Sequence, residues 1–126
     1  MEAAKTRALL KKVRDYYPAA FVYKVNDRTR SGIPDAVLCL DGEHVWVEFK
    51  ELRIADVPTD AQVKKAVTEI QRLTIHRMVL ANVNVLVVVF VGSKHFVFRY
   101  SSASQDFFKA PYDSLFHHLA ELWTWR

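Results

Sequence analysis

The chain has 126 residues, of which 51% are hydrophobic, and this length and composition predict a single domain, residues 1–126, with one sizeable core. Its 18 Lys and Arg against 14 Asp and Glu give a net charge of +4, which mildly favours a polyanionic partner such as nucleic acid. The single cysteine excludes an internal disulfide, and the longest apolar run, at 85–91, is too short to span a bilayer. The charged N-terminus lacks the apolar core of a signal peptide, so we expect a soluble intracellular protein.

The first half of the chain predicts one helix and three strands. Residues 2–17 carry apolar side chains at helical spacing, and Pro18 ends that helix. Residues 21–26 predict a strand, followed by a polar, basic loop at 27–32. Residues 35–40 and 44–50 predict two strands around an Asp-Gly pair, which is a strong hairpin signal.

The second half predicts two helices and two strands. Residues 51–59 have no period and predict a loop, and a long helix is expected over 60–81, ended by Asn82. The apolar face of this helix is formed by Val63, Ala66, Val67, Ile70, Leu73 and Met78. Residues 85–91 predict a strand covered on both faces, 94–100 an outer strand, 101–111 an irregular segment, and 112–126 a final helix. This order predicts a mixed α/β fold, with a sheet flanked by helices on both faces.

Charged residues at the end of the predicted hairpin indicate a functional site. Side chains alternate along a strand, so Glu48 and Lys50 share one face, and the hairpin turn places Asp35 close to them. Two neighbouring carboxylates repel each other, and a divalent cation such as Mg²⁺ or Mn²⁺ relieves that repulsion. Such an ion beside a lysine is suited to phosphodiester hydrolysis. The alternative is an ordinary Glu48–Lys50 salt bridge on an exposed strand face, with Asp35 capping a turn.

Polar residues on the flanking elements extend this site. Glu2 falls on the inward stripe of the first helix, and Gln71 lies at the edge of the buried face of the long helix, where its amide needs a partner. Basic residues close to the hairpin are candidates for contacts with DNA phosphates, with a merely solvated face as the alternative. These residues are Arg28, Arg30, Arg53, Lys64 and Lys65.

The segment "SGIPDAVLCLDGEHVWVEFK", residues 31–50, resembles the metal-dependent PD-(D/E)xK nuclease superfamily. Its Gly-Ile-Pro-Asp form is similar to the virus-type replication-repair nuclease branch, VRR-NUC. The resemblance covers residues 2–91 and implies a restriction-endonuclease-like αβββαβ core, here with an extra C-terminal strand and helix. It implies a metal ion, Mg²⁺ or Mn²⁺, held by Glu2, Asp35, Glu48 and the Phe49 backbone carbonyl. It also assigns catalytic roles to Asp35, Glu48, Lys50 and Gln71.

The resemblance leaves some points open. Asn82 stands where the family has a glycine, and Gln62 competes with Gln71 for the glutamine role. For a small stand-alone member, the resemblance implies a homodimer that cuts branched DNA such as Holliday junctions, without a membrane or an organic cofactor. We expect the protein in the cytoplasm or nucleoid, and the virus-type resemblance leaves a viral origin open. The alternatives are a non-catalytic nucleic-acid-binding protein that retains the fold, or a flap-cutting or restriction-type nuclease.

Overall fold

The computed structural model of the chain describes residues 2–25, 32–112 and 114–123. None of the helices within these ranges is long and apolar enough to cross a membrane. The predicted strand at 21–26 ends at Lys24, and the basic loop that follows lies largely outside the described residues. In chain order the elements are α1 (Glu2–Tyr16), β1 (Phe21–Lys24), β2 (Ala36–Leu40), β3 (Glu43–Glu51), α2 (Asp60–Ala66), α3 (Glu69–Leu80), β4 (Val85–Val91), β5 (Lys94–Ser101), β6 (Asp106–Lys109) and α4 (Leu115–Leu122).

The described strands form one mixed sheet in the order β1-β2-β3-β4-β5-β6. β3 and β4 run parallel, and the other neighbouring pairs are antiparallel. A parallel pair needs a long crossover connection, which α2 and α3 supply here. The predicted mixed α/β fold with an αβββαβ core is therefore confirmed, with its second helix divided in two.

Each face of the sheet carries a hydrophobic core. One cluster contains residues of α1 and α4, such as Leu10 and Leu119, packed with Val47 of β3. The other contains residues of α2 and α3, such as Val63 and Ile75. Side chains of β4 alternate between the two clusters, and this is why the strand is buried along nearly its whole length. The prediction of a strand covered on both faces is confirmed.

The prediction of a single helix over 60–81 is wrong, because this region forms two helices. α2 ends at Ala66 and α3 begins at Glu69, with Val67 and Thr68 extended between them at ψ angles of 125° and 160°. Thr68 starts the new helix through a capping box with Gln71, in which each residue binds the backbone N–H of the other. The sequence signal for this break is the Thr-x-x-Gln pattern, which competes with the continuing apolar period.

The buried face of this region also differs from the prediction. Ile70 and Leu73 were expected to face the core but are 55% and 47% exposed, whereas Ile75 is buried. Two extended residues interrupt the 3.6-residue period, so the apolar stripe of α2 does not continue in phase along α3. Asn82 does follow the end of α3 as predicted, with the positive φ of 65° that asparagine tolerates.

The region after β5 differs from the prediction as well. Residues 101–111, expected to be irregular, contain β6, which pairs with β5 and makes β5 an inner strand. Four residues are too few for alternation to be recognised in a sequence. The final helix is shorter than predicted, because Ser114 caps its start and Trp123 follows its end. Residues 113 and 124–126 lie outside the described part of the chain.

Candidate active site

The hairpin of β2 and β3 sets the geometry of the site. Its two-residue turn at 41–42 has φ angles of 53° and 80°, the left-handed backbone that an Asp-Gly pair favours. This turn produces a register in which Ala36 faces Val47. Asp35, one residue before Ala36, therefore lies level with Glu48, one residue after Val47.

Backbone N–H groups from β3 and from the residue after β1 hold Asp35. Its Oδ2 accepts a hydrogen bond from the Phe49 N–H at 2.9 Å, and its main-chain carbonyl accepts one from the Val25 N–H at 2.7 Å. Pro34, immediately before it, is buried. The carboxylate is thus fixed against the end of β3, next to Glu48.

Glu48 is the most deeply buried acid of the site, with 2% of its surface exposed. Its Oε2 accepts a hydrogen bond from Gln71 Nε2 at 3.0 Å and lies 3.5 Å from Lys50 Nζ. Its Oε1 is buried without a hydrogen-bond partner among the described residues. Burial raises the pKa of Glu48 to about 8, and the neighbouring charge of Asp35 adds to this shift, while Lys50 opposes it.

Glu2 approaches the same centre from the first turn of α1. Burial raises its pKa, the charge of Lys50 lowers it, and the charges of Asp35 and Glu51 raise it further. Glu51 itself pairs with Lys5 of α1. Within residues 2–25, 32–112 and 114–123, however, no three His, Cys, Asp or Glu side chains are grouped closely enough to hold a metal ion. The structure therefore brings Asp35 and Glu48 together and leaves Glu2 at the margin of the pair.

The donors at this centre fit a hard divalent cation. Both acids supply carboxylate oxygens, the ligands that Mg²⁺ and Mn²⁺ prefer, and such ions are often held by one or two carboxylates plus water. A buried carboxylate oxygen without a partner is costly, and Glu48 Oε1 has none within the described part of the chain. A cation bound to Glu48 Oε1 would offset that cost and the repulsion from Asp35.

Gln71, and not Gln62, lies at this centre. The side chain of Gln62 is exposed at the start of α2, where its Oε1 accepts a hydrogen bond from the Thr59 N–H at 2.9 Å. Gln71 occupies the equivalent position at the start of α3, but its Nε2 also reaches Glu48. The division of the predicted helix creates this difference, because it starts a second helix beside β3.

The predicted basic residues are only partly described. Arg53 and Lys65 are exposed, and Lys64 pairs with Asp106 of β6 at 2.6 Å. Arg28 and Arg30 lie outside the described residues. Among the described candidates, Arg53 in the loop after β3 is the nearest to Lys50 along the chain.

Gly32 is a residue of this region whose role the sequence did not indicate. It has a φ of +88°, and a Cβ added to it would lie 2.7 Å from Thr74 Oγ1 and 2.8 Å from the Ile70 carbonyl oxygen. Only glycine allows the chain to pass so close to α3 before it reaches Pro34 and Asp35. The glycine directly before Ile-Pro-Asp was the available signal.

The comparisons with known proteins find likeness at the level of structure only. No family model and no curated protein matches the chain. A solved structure of Archaeoglobus fulgidus Hjc, described as a Holliday junction resolvase from an archaeal hyperthermophile, aligns with a TM-score of 0.49 and 16% identity. The alignment covers 93% of this chain and 92% of that one. Likeness at this level assigns no function, which therefore has to come from the side chains of the site.

Proposed function

We propose that the chain is a divalent-metal-dependent endonuclease that hydrolyses DNA phosphodiester bonds. In this proposal residues 1–126 act as one nuclease domain of the VRR-NUC branch of the PD-(D/E)xK superfamily. The observation that carries it is the environment of Glu48, an almost fully buried carboxylate beside Asp35. One of its oxygens has no partner among the residues that the structure describes, and the Lys50 ammonium lies 3.5 Å from the other. A salt bridge on an exposed strand face, the plainer alternative, does not fit this burial.

Asp35 and Glu48 would hold the ion, which is Mg²⁺ or Mn²⁺. The Phe49 backbone carbonyl would complete the set on the protein side, with Glu2 beside it at the start of α1. When bound, the ion supplies a polarised water and stabilises the charge that develops on the phosphate. Because Phe49 N–H and Gln71 Nε2 each bind one oxygen of these acids, the carboxylates are oriented before any ligand arrives.

Lys50 acts on the reacting groups. Its side chain is 18% exposed and extends from the same face of β3 as Glu48, so its ammonium can reach a phosphate at the end of the sheet. There it orients the attacking water or neutralises charge on the phosphate. The salt bridge to Glu48 keeps the ammonium in place, because that carboxylate is itself fixed by Gln71.

The proposed substrate is branched DNA. The net charge of +4 and the exposed Arg53 and Lys65 supply attraction to phosphates without any base recognition. Arg28, Arg30 and Lys64 belong to the same proposed contact surface. In this proposal the shape of the DNA and a partner copy of the chain determine the choice of substrate.

A homodimer is proposed because one side of the sheet exposes several large apolar residues. Val22 packs against the core beneath α1 and α4, so its neighbours Phe21 and Tyr23 project on the opposite side, where they are 59% and 52% exposed. On that side α3 exposes three more apolar residues: Ile70, Leu73 and Leu80. A second copy covering this surface would bring two active centres together on one four-way junction.

Cleavage assays on a panel of substrates test this proposal. Labelled four-way junction, flap and plain duplex are incubated with the wild type in Mg²⁺, Mn²⁺ or EDTA. We expect metal-dependent cutting, fastest on the junction, that Lys50→Ala slows by about a hundredfold or more. Lys109→Ala, which removes an exposed lysine of β6, is the matched control and should cut at the wild-type rate. Salt-sensitive DNA binding without cleavage would instead identify a non-catalytic binding protein. If flaps or plain duplex were cut faster than the junction, they would replace the junction as the proposed substrate.

A further inference from the structure

Two helices of this chain begin with the same capping box. In α2 the Thr59 N–H donates to Gln62 Oε1 at 2.9 Å, and the Gln62 N–H donates to Thr59 Oγ1 at 3.2 Å. In α3 the Thr68 N–H donates to Gln71 Oε1 at 3.0 Å, and the Gln71 N–H donates to Thr68 Oγ1 at 3.2 Å. The two boxes are thus almost identical in geometry, and each satisfies two backbone donors at a helix start.

The two boxes differ in what the glutamine does with its remaining group. Gln62 is exposed, whereas Gln71 Nε2 donates to Glu48 Oε2 at 3.0 Å. A carboxamide is planar, so a bond that fixes Oε1 also fixes the direction of Nε2. The hydrogen bond from the Thr68 N–H therefore determines which end of the Gln71 amide faces Glu48.

The hydroxyl of Thr68 contributes the second constraint. By accepting from the Gln71 N–H, it holds the first turn of α3 in the position from which the side chain reaches β3. In one continuous helix the N–H of Gln71 would instead bond to the carbonyl four residues earlier, and no capping box would exist. The break between α2 and α3 is thus part of the arrangement that presents the amide to the acid.

We propose that Thr68 is a positioning residue of the active centre: its capping box locks the Gln71 amide on Glu48 Oε2, so that the other oxygen, Oε1, is the one that would bind the cation. This inference rests on the proposed function, since it concerns the same metal-binding pair. In this proposal Thr68 acts through Gln71, with which it shares both hydrogen bonds of the capping box. The capping box of α2 has the same structure but no such task.

A pair of matched variants tests the proposal. Thr68→Val and Thr59→Val each remove one capping hydroxyl and keep the shape of the side chain, so each should lower Tm by a few degrees. Mn²⁺ affinity, measured by electron paramagnetic resonance without DNA, should fall by about tenfold to a hundredfold in Thr68→Val. In Thr59→Val it should stay within about twofold of the wild type. The side-chain amide resonances of Gln71 should shift in Thr68→Val only.

The remaining outcomes separate this inference from the proposed function. Equal Mn²⁺ affinity and unchanged Gln71 resonances in the two valine variants would overturn the role of Thr68, whatever the cleavage assays show. Mn²⁺ binding by a wild type that cuts no DNA would overturn the proposed function alone. Thr68→Ser keeps the hydroxyl and should bind Mn²⁺ within about threefold of the wild type. A folded Thr68→Ser protein as weak as Thr68→Val would show that the hydroxyl is not the cause and would also overturn the role.

Discussion

Gln71 donates a hydrogen bond from Nε2 to Glu48 Oε2 at 3.0 Å, which ties the start of α3 to the end of β3. The contact supplies a hydrogen-bond donor to Glu48, which is almost fully buried. Gln71 is the glutamine of the second Thr-x-x-Gln capping box, and Gln62 is that of the first. A substitution of Gln71 should therefore destabilise the buried Glu48, whereas the same substitution of Gln62 should not affect it.

Gln71→Glu tests this contact in the metal-free protein. Glutamate can also close a capping box, so the substitution keeps the start of α3 and changes only the group that faces Glu48. A carboxylate there cannot donate to Glu48 Oε2, and we expect the lost hydrogen bond to cost about 1 to 3 kcal/mol in the free energy of unfolding. Gln62→Glu, the control at an exposed position, should change it by less than about 0.5 kcal/mol. Urea unfolding at pH 7 measures both, and equal losses would show that Gln71 does not support Glu48.

The stability of the metal-free protein should decrease as pH rises. Because the pKa of Glu48 is raised to about 8 in the folded state, the folded protein binds a proton there that the unfolded chain releases from about pH 4.5 upward. The stabilisation is complete below that pH and is lost progressively as the pH rises through about 8. Urea unfolding in EDTA at pH 5, 7 and 9 should show the decline. The Glu48→Gln variant should lose less of its free energy of unfolding over this pH range, because it lacks the titrating carboxyl. An equal decline in the wild type and the variant would contradict the raised pKa of Glu48.

Metal binding should release a proton. At pH 6.5 Glu48 is still protonated in the metal-free protein, so a divalent cation has to displace that proton before it can bind the carboxylate. We expect Mn²⁺ binding to release about one proton at pH 6.5 and fewer above pH 8, with affinity rising between these values. Calorimetry in two buffers of different ionisation enthalpy measures the release. No buffer dependence at pH 6.5 would show that Glu48 does not bind the ion.

Gly32→Ala should destabilise the protein more than the same change at another glycine with positive φ. Gly92 has a φ of +59° with open space around it, so Gly92→Ala adds only backbone strain of about 1 to 2 kcal/mol. Gly32→Ala adds comparable strain and also places a methyl group 2.7 to 2.9 Å from atoms of Ile70 and Thr74. The difference in the free energy of unfolding between the two variants isolates that close approach. Equal losses would mean that the segment before Asp35 is not held against α3.

The sequence was a good guide to the hairpin and a poor one to the helix that follows. Alternation and the Asp-Gly turn are local signals, and together they define a register that brings Asp35 level with Glu48. The apolar period from Val63 onward predicted one helix, because hydrophobic spacing alone does not distinguish a continuous helix from two that meet at a cap. The second Thr-x-x-Gln pattern, starting at Thr68, was the local signal that decided otherwise.

The contact between Gln71 and Glu48 shows the limit of such reasoning. The two residues are 23 positions apart, and their meeting depends on how α3 crosses the sheet, which no local pattern encodes. Its place at the edge of the predicted buried face made Gln71 a candidate, but its link to the capping box depended on the helix break. Likewise, the four residues 106–109 carry no sequence pattern that predicts β6, the strand that pairs with the edge of β5.

Locating Mn²⁺ by its anomalous scattering in a crystal soaked with the ion tests the central claim most directly. The account predicts an ion bound between Asp35 and Glu48, about 2.0 to 2.4 Å from a carboxylate oxygen of each, with Glu48 Oε1 among its ligands. The peak should disappear in Glu48→Gln crystals soaked in the same way. A wild-type crystal saturated with Mn²⁺ that shows no ion between these two residues, or shows ions only elsewhere, would contradict the account.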